Sequence, residues 1–282
     1  METAAALPVH APARDFALPA ASHVLRLGAA LCFIGHGAFG FITKAAWLPY
    51  FGVIGIPAEW AWRLMPIVGA IDVLAGMAIL FGPSRLPLVY MVTWALWTAL
   101  LRPLAGEPVF ETLERAGNYG VPLAFLMLAG LPGRRWRDLV EPIAPVLDDA
   151  ARVERVKQVL KWTTVQLLFG HGALGAFTGK ALLTGHYAAI GLPETTTALV
   201  GWMEIALAAA VAFAPTAPLL VLVALWKLAT ESLFIAAGEP IWEFVERAGS
   251  YAAPIALALL LRSPGRRSGV LRPGRAARVP TG

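Results

Sequence analysis

Ionisable side chains recur at matching places in the two halves of this 282-residue chain, inside stretches that are otherwise apolar. An ionisable group within an apolar span is costly to bury, which makes it a functional candidate by default. Imidazole and carboxylate groups exchange protons and bind oxygen-bearing ligands. We therefore predict ligand-binding clusters from these residues, which are His36, Lys44, Asp72, Glu107, Glu111, Glu114 and Arg115 in the first half and His171, Lys180, Glu204, Glu239, Glu243, Glu246 and Arg247 in the second.

The glutamates before each arginine follow helical spacing. Glu107, Glu111 and Glu114 stand at i, i+4 and i+7, along one face of a helix. Glu111 also precedes Arg115 by one turn, in the order that favours an ion pair, and the second half repeats this pattern. Two interpretations stay open: a solvated acidic face at the start of an interfacial helix, or a stripe that enters the bundle and meets the other polar groups.

The histidines and lysines each admit a structural and a functional interpretation. A lone histidine on an apolar helix is typically a hydrogen-bonded core residue, but the glycines around His36 and His171 would also let another helix or a flat ligand approach. Lys44 and Lys180 stand near predicted helix ends, where lysines typically extend to the membrane interface. The alternative is that they join the clusters.

One polar pair breaks the similarity between the halves. Lys227 and Glu231 lie one helical turn apart, where the first half has Ala95 and Ala99. The pair either neutralises itself or marks the half that has specialised. Nearby, Trp94 corresponds to Trp226, and Arg102 of the first half corresponds to Phe234.

Several common kinds of site are missing from the sequence. There is no Glu-x-x-His pair typical of di-iron bundles, no phosphate-binding glycine loop and no zinc-like cysteine spacing, since Cys32 is the single cysteine. We predict no metal site. The formal charge of +5 does not indicate a nucleic-acid partner, because the arginines stand beside apolar runs in short loops and tails.

The elements that must position these residues are membrane helices. Hydrophobic residues make up 58% of the chain and charged residues only 15%. A helix needs about 20 apolar residues to cross the hydrocarbon layer. The apolar runs predict an all-α membrane protein of eight transmembrane helices, embedded in a lipid bilayer, at residues 25–43, 64–82, 86–104, 108–131, 158–178, 196–214, 218–236 and 240–261.

The two halves are tandem repeats. Gly-Glu-Pro-x-x-Glu-x-x-Glu-Arg-Ala-Gly-x-Tyr-x-x-Pro occurs at residues 106–122 and again at 238–254. We predict two parallel four-helix bundles related by a pseudo-twofold axis about the membrane normal. The predicted regions are an N-terminal cytoplasmic tail (1–23), the first four-helix repeat (24–133), an interfacial linker (134–156), the second repeat (157–262) and a basic cytoplasmic tail (263–282).

Orientation follows from the arginines, which collect in the tails, the first hairpin and the segment between the repeats. All of these fall on one side of an eight-span topology, and positive residues mark the cytoplasmic side. Both termini are therefore predicted to be cytoplasmic, with the polar clusters in the outer half of the membrane.

The first predicted helix resembles that of the DoxX-like four-helix membrane proteins, on the residues Leu25-Arg26-Leu27-Gly28, Gly35-His36-Gly37 and Lys44. This superfamily includes the membrane subunit of thiosulfate:quinone oxidoreductase. The resemblance implies a bacterial or archaeal inner (plasma) membrane and an association with quinone or thiol redox chemistry.

Three functions are compatible with the sequence. The first is a redox-associated protein that binds a quinone, or a haem if His36 and His171 face each other, and works with a soluble or membrane redox partner. The second is a proton- or ion-coupled carrier of a small solute. The third is a structural or chaperone-like membrane subunit.

Overall fold

The computed structural model describes residues 17–143 and 149–262. The predicted basic tail, most of the predicted N-terminal tail and residues 144–148 of the predicted linker lie outside the described residues. Within the described ranges all regular secondary structure is helical. This agrees with the predicted all-α class.

The first repeat comprises six α-helices and a short 3₁₀ turn. In chain order these are α1 (Ala17–Ile42), the 3₁₀ turn (Ala45–Trp47), α2 (Leu48–Val53), α3 (Ala58–Phe81), α4 (Arg85–Leu104), α5 (Phe110–Glu114) and α6 (Ala116–Ala129). A one-turn helix, α7 (Arg137–Val140), follows.

The second repeat follows the same order. Its helices are α8 (Ala150–Thr178), α9 (Ala181–Ala189), α10 (Thr195–Phe213), α11 (Ala217–Glu231), α12 (Leu233–Ala236), α13 (Ile241–Glu246) and α14 (Ala248–Arg262).

Five helical segments of the described chain are long and apolar enough to cross a membrane: Ala17–Ile42, Ala58–Phe81, Thr195–Phe213, Ala217–Ala236 and Ile241–Arg262. Their outward faces carry large apolar side chains, including Leu74, Phe81 and Phe213, which water would not tolerate in this number. The chain is thus a membrane-embedded protein.

Two predicted boundaries need correction. Helix α1 begins at Ala17, inside the predicted tail 1–23, and α8 begins at Ala150, inside the predicted linker 134–156. Asp149 caps α8, because its carboxylate accepts the Arg152 N–H at 3.1 Å. Hydropathy marks only the most apolar part of a helix, so a helix whose first turns are less apolar, or charged as in α8, starts earlier than its apolar run.

The repeats interlock. Helix α1 packs along α3, and α8 along α10, but each of these first helices also packs against the fourth helical segment of the other repeat: α1 against α13 and α14, α8 against α5 and α6. One hydrophobic core therefore contains buried residues of both repeats, such as Leu25 and Leu257. The two repeats therefore share one core.

Glycines make this interlocking possible. A methyl group added to Gly117 would lie 2.7 Å from the carbonyl carbon of Gly249, so α6 and α14 cross backbone to backbone. Gly35 meets the backbone of Glu246, and Gly37 lies against the carbonyl oxygen of Gly69. The glycines beside His36 thus admit neighbouring helices rather than a flat ligand.

The long repeated motif builds a broken helix. Gly106 and Gly238 adopt φ angles of +92° and +81°, which glycine tolerates best, and end the preceding segment. The helix then breaks at the arginine, where Arg115 has φ −86° and ψ 12° and Arg247 has φ −89° and ψ 12°. Beside the second break, the Tyr251 hydroxyl donates to the Phe244 carbonyl. Such side-chain hydrogen bonds let a membrane helix tolerate an interruption.

Candidate ligand-binding site

The lysine of each repeat pairs with the acidic stripe of the other. Lys180 Nζ lies 2.7 Å from Glu111 Oε1 and 3.8 Å from Glu114 Oε2. Lys44 pairs with Glu243. Both lysines remain partly accessible, at 28% for Lys44 and 22% for Lys180. They therefore join the clusters rather than only extending to the membrane interface.

The arginine at each helix break gathers the same stripe. Arg115 Nη1 lies 3.1 Å from Glu111 Oε2 and 2.9 Å from Glu114 Oε2. Arg247 Nη1 lies 2.7 Å from Glu243 Oε2 and 3.1 Å from Glu246 Oε1.

These acids enter the protein. Glu111 and Glu243 are only 3% and 5% exposed, so the interpretation of a solvated acidic face is wrong for them. Glu107 joins the first cluster, because Arg102 Nη1 lies 2.9 Å from its carboxylate. The carboxylate of Glu239, a half-buried residue, makes no hydrogen bond or ion pair within the described residues and stays outside the clusters.

Each histidine meets the acid of the second membrane segment in its own repeat. His36 Nδ1 lies 2.7 Å from Asp72 Oδ2, and the other oxygen of Asp72 accepts the Tyr90 hydroxyl at 2.6 Å. His171 Nδ1 pairs with Glu204, whose other oxygen accepts the Trp226 indole N–H at 2.9 Å. A carboxylate at one ring nitrogen sets the tautomer and orientation of the imidazole.

A partly open pocket lies between the helices of the first repeat, with Glu246 of the second repeat also in its lining. The rings of Trp47, Tyr50, Trp94 and Trp97 line it, together with the polar side chains of His36, Lys44, Arg102, Arg115, Asn118 and Glu246. The His36 ring stacks on Trp47 with centroids 4.6 Å apart. Arg102 lies over the Tyr50 ring, 5.0 Å from its centroid.

The polar groups around this pocket are mostly hydrogen-bond donors. The indole N–H of Trp94 is buried and lacks a hydrogen-bond partner within the described residues. Lys44, Arg102 and Arg115 contribute cationic donors. The one lining acid, Glu246, already accepts from Arg247 at 3.1 Å. The pocket is thus suited to a ligand with aromatic faces and oxygen acceptors.

The corresponding place in the second repeat holds Lys227 and Glu231, which are 1% and 2% exposed. Lys227 Nζ lies 2.8 Å from Glu231 Oε1 and 3.8 Å from Glu204 Oε1. Arg247 Nε lies 3.0 Å from Glu231 Oε2, and Phe234 packs against the same guanidinium, 3.9 Å from ring centroid to carbon.

Sequence reasoning missed part of the pocket. Trp47 and Tyr50 come from the 3₁₀ turn and α2, a connection that the hydropathy pattern leaves unassigned. Burial raises the pKa of the Tyr50 hydroxyl above its ordinary value. The available signal was the aromatic content of residues 47–51, which is unusual for a loop that only joins two membrane helices.

The predicted haem arrangement has no direct support from the histidine contacts, since each imidazole is held by an acid of its own repeat. Among the described residues, no group of three or more His, Cys, Asp or Glu side chains is arranged to hold a metal ion.

No protein-family model matches this chain, no curated protein is significantly similar to it, and no solved structure matches it. The resemblance to DoxX-like proteins therefore stays a prediction, and the function is argued from the geometry of the site.

Proposed function

We propose that this chain is an integral membrane protein that binds a small planar ligand with oxygen acceptors, of the quinone type, in the first-repeat pocket, and that it serves membrane redox chemistry. The observation that carries the proposal is the aromatic-lined pocket rich in donors, one of whose lining residues, Trp94, has a buried indole N–H without a partner within the described residues.

A quinone would supply the hydrogen-bond acceptors that this pocket lacks. An unsatisfied buried donor costs about 1–3 kcal/mol, which a carbonyl acceptor would offset. The flat ring would pack against the tryptophan faces. His36, oriented by Asp72, would exchange a proton with the bound ligand. A soluble or membrane redox partner would supply or remove the electrons.

The membrane arrangement belongs to the same proposal. The described helices coincide with the eight apolar segments, which supports eight spans in two parallel four-helix units of the DoxX-like type. The arginine distribution supports cytoplasmic termini in an inner membrane.

Single cysteines in a Cys32→Ser background test this topology. Glu59, Glu107 and Glu194, replaced one at a time by cysteine, should react with a membrane-impermeant thiol reagent added to intact cells. A cysteine at Ser84 should react only after permeabilisation, and its labelling from outside would contradict the orientation.

Binding is tested with decyl-ubiquinone added to the full chain in nanodiscs, followed by isothermal titration calorimetry. Saturable binding is expected, and Trp94→Phe should weaken it about tenfold, the loss of one hydrogen bond of ~1.4 kcal/mol. Trp226→Phe is the matched control, since this indole already donates to Glu204. Absence of saturable binding to the parent protein would overturn the proposal.

A second candidate, proton-coupled transport of a small solute, has one observation in its favour. Charged side chains form a continuous series from His171 through Glu204, Lys227, Glu231, Arg247 and Glu243 to Lys44. Proteoliposomes with an internal pH dye distinguish it: transport would require proton movement that Glu231→Gln abolishes, whereas a quinone-binding protein would show none without a redox partner.

A further inference from the structure

We propose that the second repeat is a self-occupied copy of the ligand pocket, in which Lys227 and Glu231 fill from within the chain the space that the first repeat keeps for an oxygen-bearing ligand. The inference rests on the proposed function for the identity of the first-repeat ligand. The internal occupant in the second repeat is argued from the contacts of that repeat alone.

Four of the surrounding side chains keep their residue type at the matching place of the other repeat: His36 and His171, Lys44 and Lys180, Trp94 and Trp226, and Arg115 and Arg247. Other lining positions differ, since Trp97 and Arg102 correspond to Ala229 and Phe234. At the centre, Ala95 lines the open pocket, and its counterpart Lys227 is the largest fully buried side chain of the described residues.

The Lys227–Glu231 pair also makes ion pairs with two further charged side chains, Glu204 and Arg247. The Lys227 ammonium group lies 3.8 Å from Glu204, and the Glu231 carboxylate lies 3.0 Å from Arg247 Nε, so both contacts are ion pairs. Trp226 donates to the same Glu204. With the Lys227–Glu231 pair in place, the Glu204 carboxylate and the Arg247 Nε group both have partners.

In the first repeat, the buried acid Asp72, the counterpart of Glu204, already has partners. Both oxygens of Asp72 are engaged, one by His36 and the other by the Tyr90 hydroxyl, so no ligand ammonium is required there. Within the described part of the chain, the Trp94 indole N–H has no hydrogen-bond partner.

In the first repeat, Arg115, the counterpart of Arg247, lacks the acceptor that Glu231 provides in the second. The hydrogen bonds of the Arg115 guanidinium within the described residues all come from Nη1, toward Glu111 and Glu114. The residue that corresponds to Glu231 is Ala99, which offers no carboxylate. The ligand therefore places an oxygen acceptor against Arg115 and Trp94 and carries no cationic group. This assigns the ligand class as quinones and other neutral or anionic oxygen-bearing rings, and excludes amines.

A small neutral thiol reagent, methyl methanethiolsulfonate, tests the occupancy without any ligand. In a Cys32→Ser background, Thr98→Cys reports on the first-repeat pocket, which Thr98 lines, and Thr230→Cys reports on its counterpart, which is 7% exposed. The first thiol should react, the second should be inert, and adding Lys227→Ala with Glu231→Ala should accelerate the second about tenfold or more.

The reciprocal variant keeps the test decisive if the opened protein fails to fold. Ala95→Lys with Ala99→Glu introduces the lysine–glutamate pair into the first repeat and should abolish the reaction of the cysteine at position 98 with the reagent. A thiol at position 98 that still reacts in this folded variant, or one at 230 that stays inert in the folded double-alanine variant, would overturn the proposal.

Decyl-ubiquinone separates the two proposals. If decyl-ubiquinone binds the parent and the Lys227→Ala/Glu231→Ala variant with the same number of sites per chain, only the proposal of a self-occupied second repeat is overturned. A rise from about one site in the parent to two in the variant supports that proposal. No binding to the parent would overturn the proposed function, while the thiol experiment would still decide whether the second repeat is filled.

Discussion

The two repeats share a framework of ion pairs and differ at its centre. In both, an arginine at a helix break gathers two glutamates, a histidine meets a buried acid, and a lysine reaches across from the other repeat. In the second repeat the centre is occupied by Lys227 and Glu231, whereas in the first it is an open pocket beside an indole N–H that has no partner in residues 17–143 and 149–262. The shared framework alone therefore does not distinguish the repeats, and the difference at its centre is the reason for proposing the first repeat as the binding site.

The largest expected effect is in the second repeat. Lys227→Ala or Glu231→Ala alone leaves a charge buried without its partner and should lower the free energy of unfolding by about 3–5 kcal/mol. The double variant should lose less than either single one, because the charges leave together. Unfolding in mixed detergent micelles, followed by circular dichroism, measures this. A double variant as unstable as the sum of the singles would contradict a mutually neutralising pair.

Substitutions of the two corresponding tryptophans should change the free energy of unfolding by different amounts. Trp226→Phe removes a hydrogen bond to a buried carboxylate and should cost about 1.5–3 kcal/mol. Trp94→Phe removes a donor without a partner and should leave stability nearly unchanged. The same unfolding measurement compares the two variants. Equal losses would show that Trp94 also has a structural partner, and the contrast between the repeats would fail.

The cross-repeat lysines should have a smaller and more similar effect. Lys180→Met removes contacts to two glutamates and Lys44→Met removes a contact to one. Because both side chains remain partly exposed, each loss should be roughly 1 kcal/mol or less, slightly larger for Lys180. Thermal unfolding at low and high salt checks this. Salt-independent losses would indicate packing rather than charge.

The smallest expected effect is a pH dependence confined to the second repeat. Burial lowers the pKa of His186, the counterpart of Tyr50, and its Nε2 has no hydrogen-bond partner within the described residues. Arg247 and His171 also lower this pKa, whereas Glu231 and Glu243 raise it. The folded protein therefore favours neutral His186, so its contribution to stability is present above the ordinary histidine pKa of about 6.5 and is lost as the pH falls below it.

The matched variant for this effect is His186→Tyr, which installs the residue of the first repeat. In unfolding curves measured between neutral and mildly acidic pH, the parent should lose more stability than the variant as the pH falls. Parallel curves would show that other groups cause the acid sensitivity.

Much of the fold was readable from local sequence. Helices α3, α4, α10 and α11 lie where apolar runs predict them, and the hairpin prolines and glycines mark their ends. The starts of α1 and α8 were misplaced because their first turns are less apolar than the rest of each helix.

The candidate site was readable only in its residue types. Sequence periodicity placed Glu111 near Arg115, and i, i+4 spacing on one helix makes that contact local. It did not indicate Trp47 or Tyr50, nor that Asp72 accepts from Tyr90 while Glu204 accepts from Trp226, because these contacts form between separate helices.

The sequence by itself determined the membrane class, the duplication, the helix positions and the set of polar residues, because each depends on composition or on spacing along one segment. Only the tertiary structure decided that Lys44 meets Glu243 and Lys180 meets Glu111, since this depends on which fourth helical segment packs against each first helix. It also decided which repeat is open. Residues far apart in the chain must come together before one buried pair can fill a space that its counterpart leaves empty.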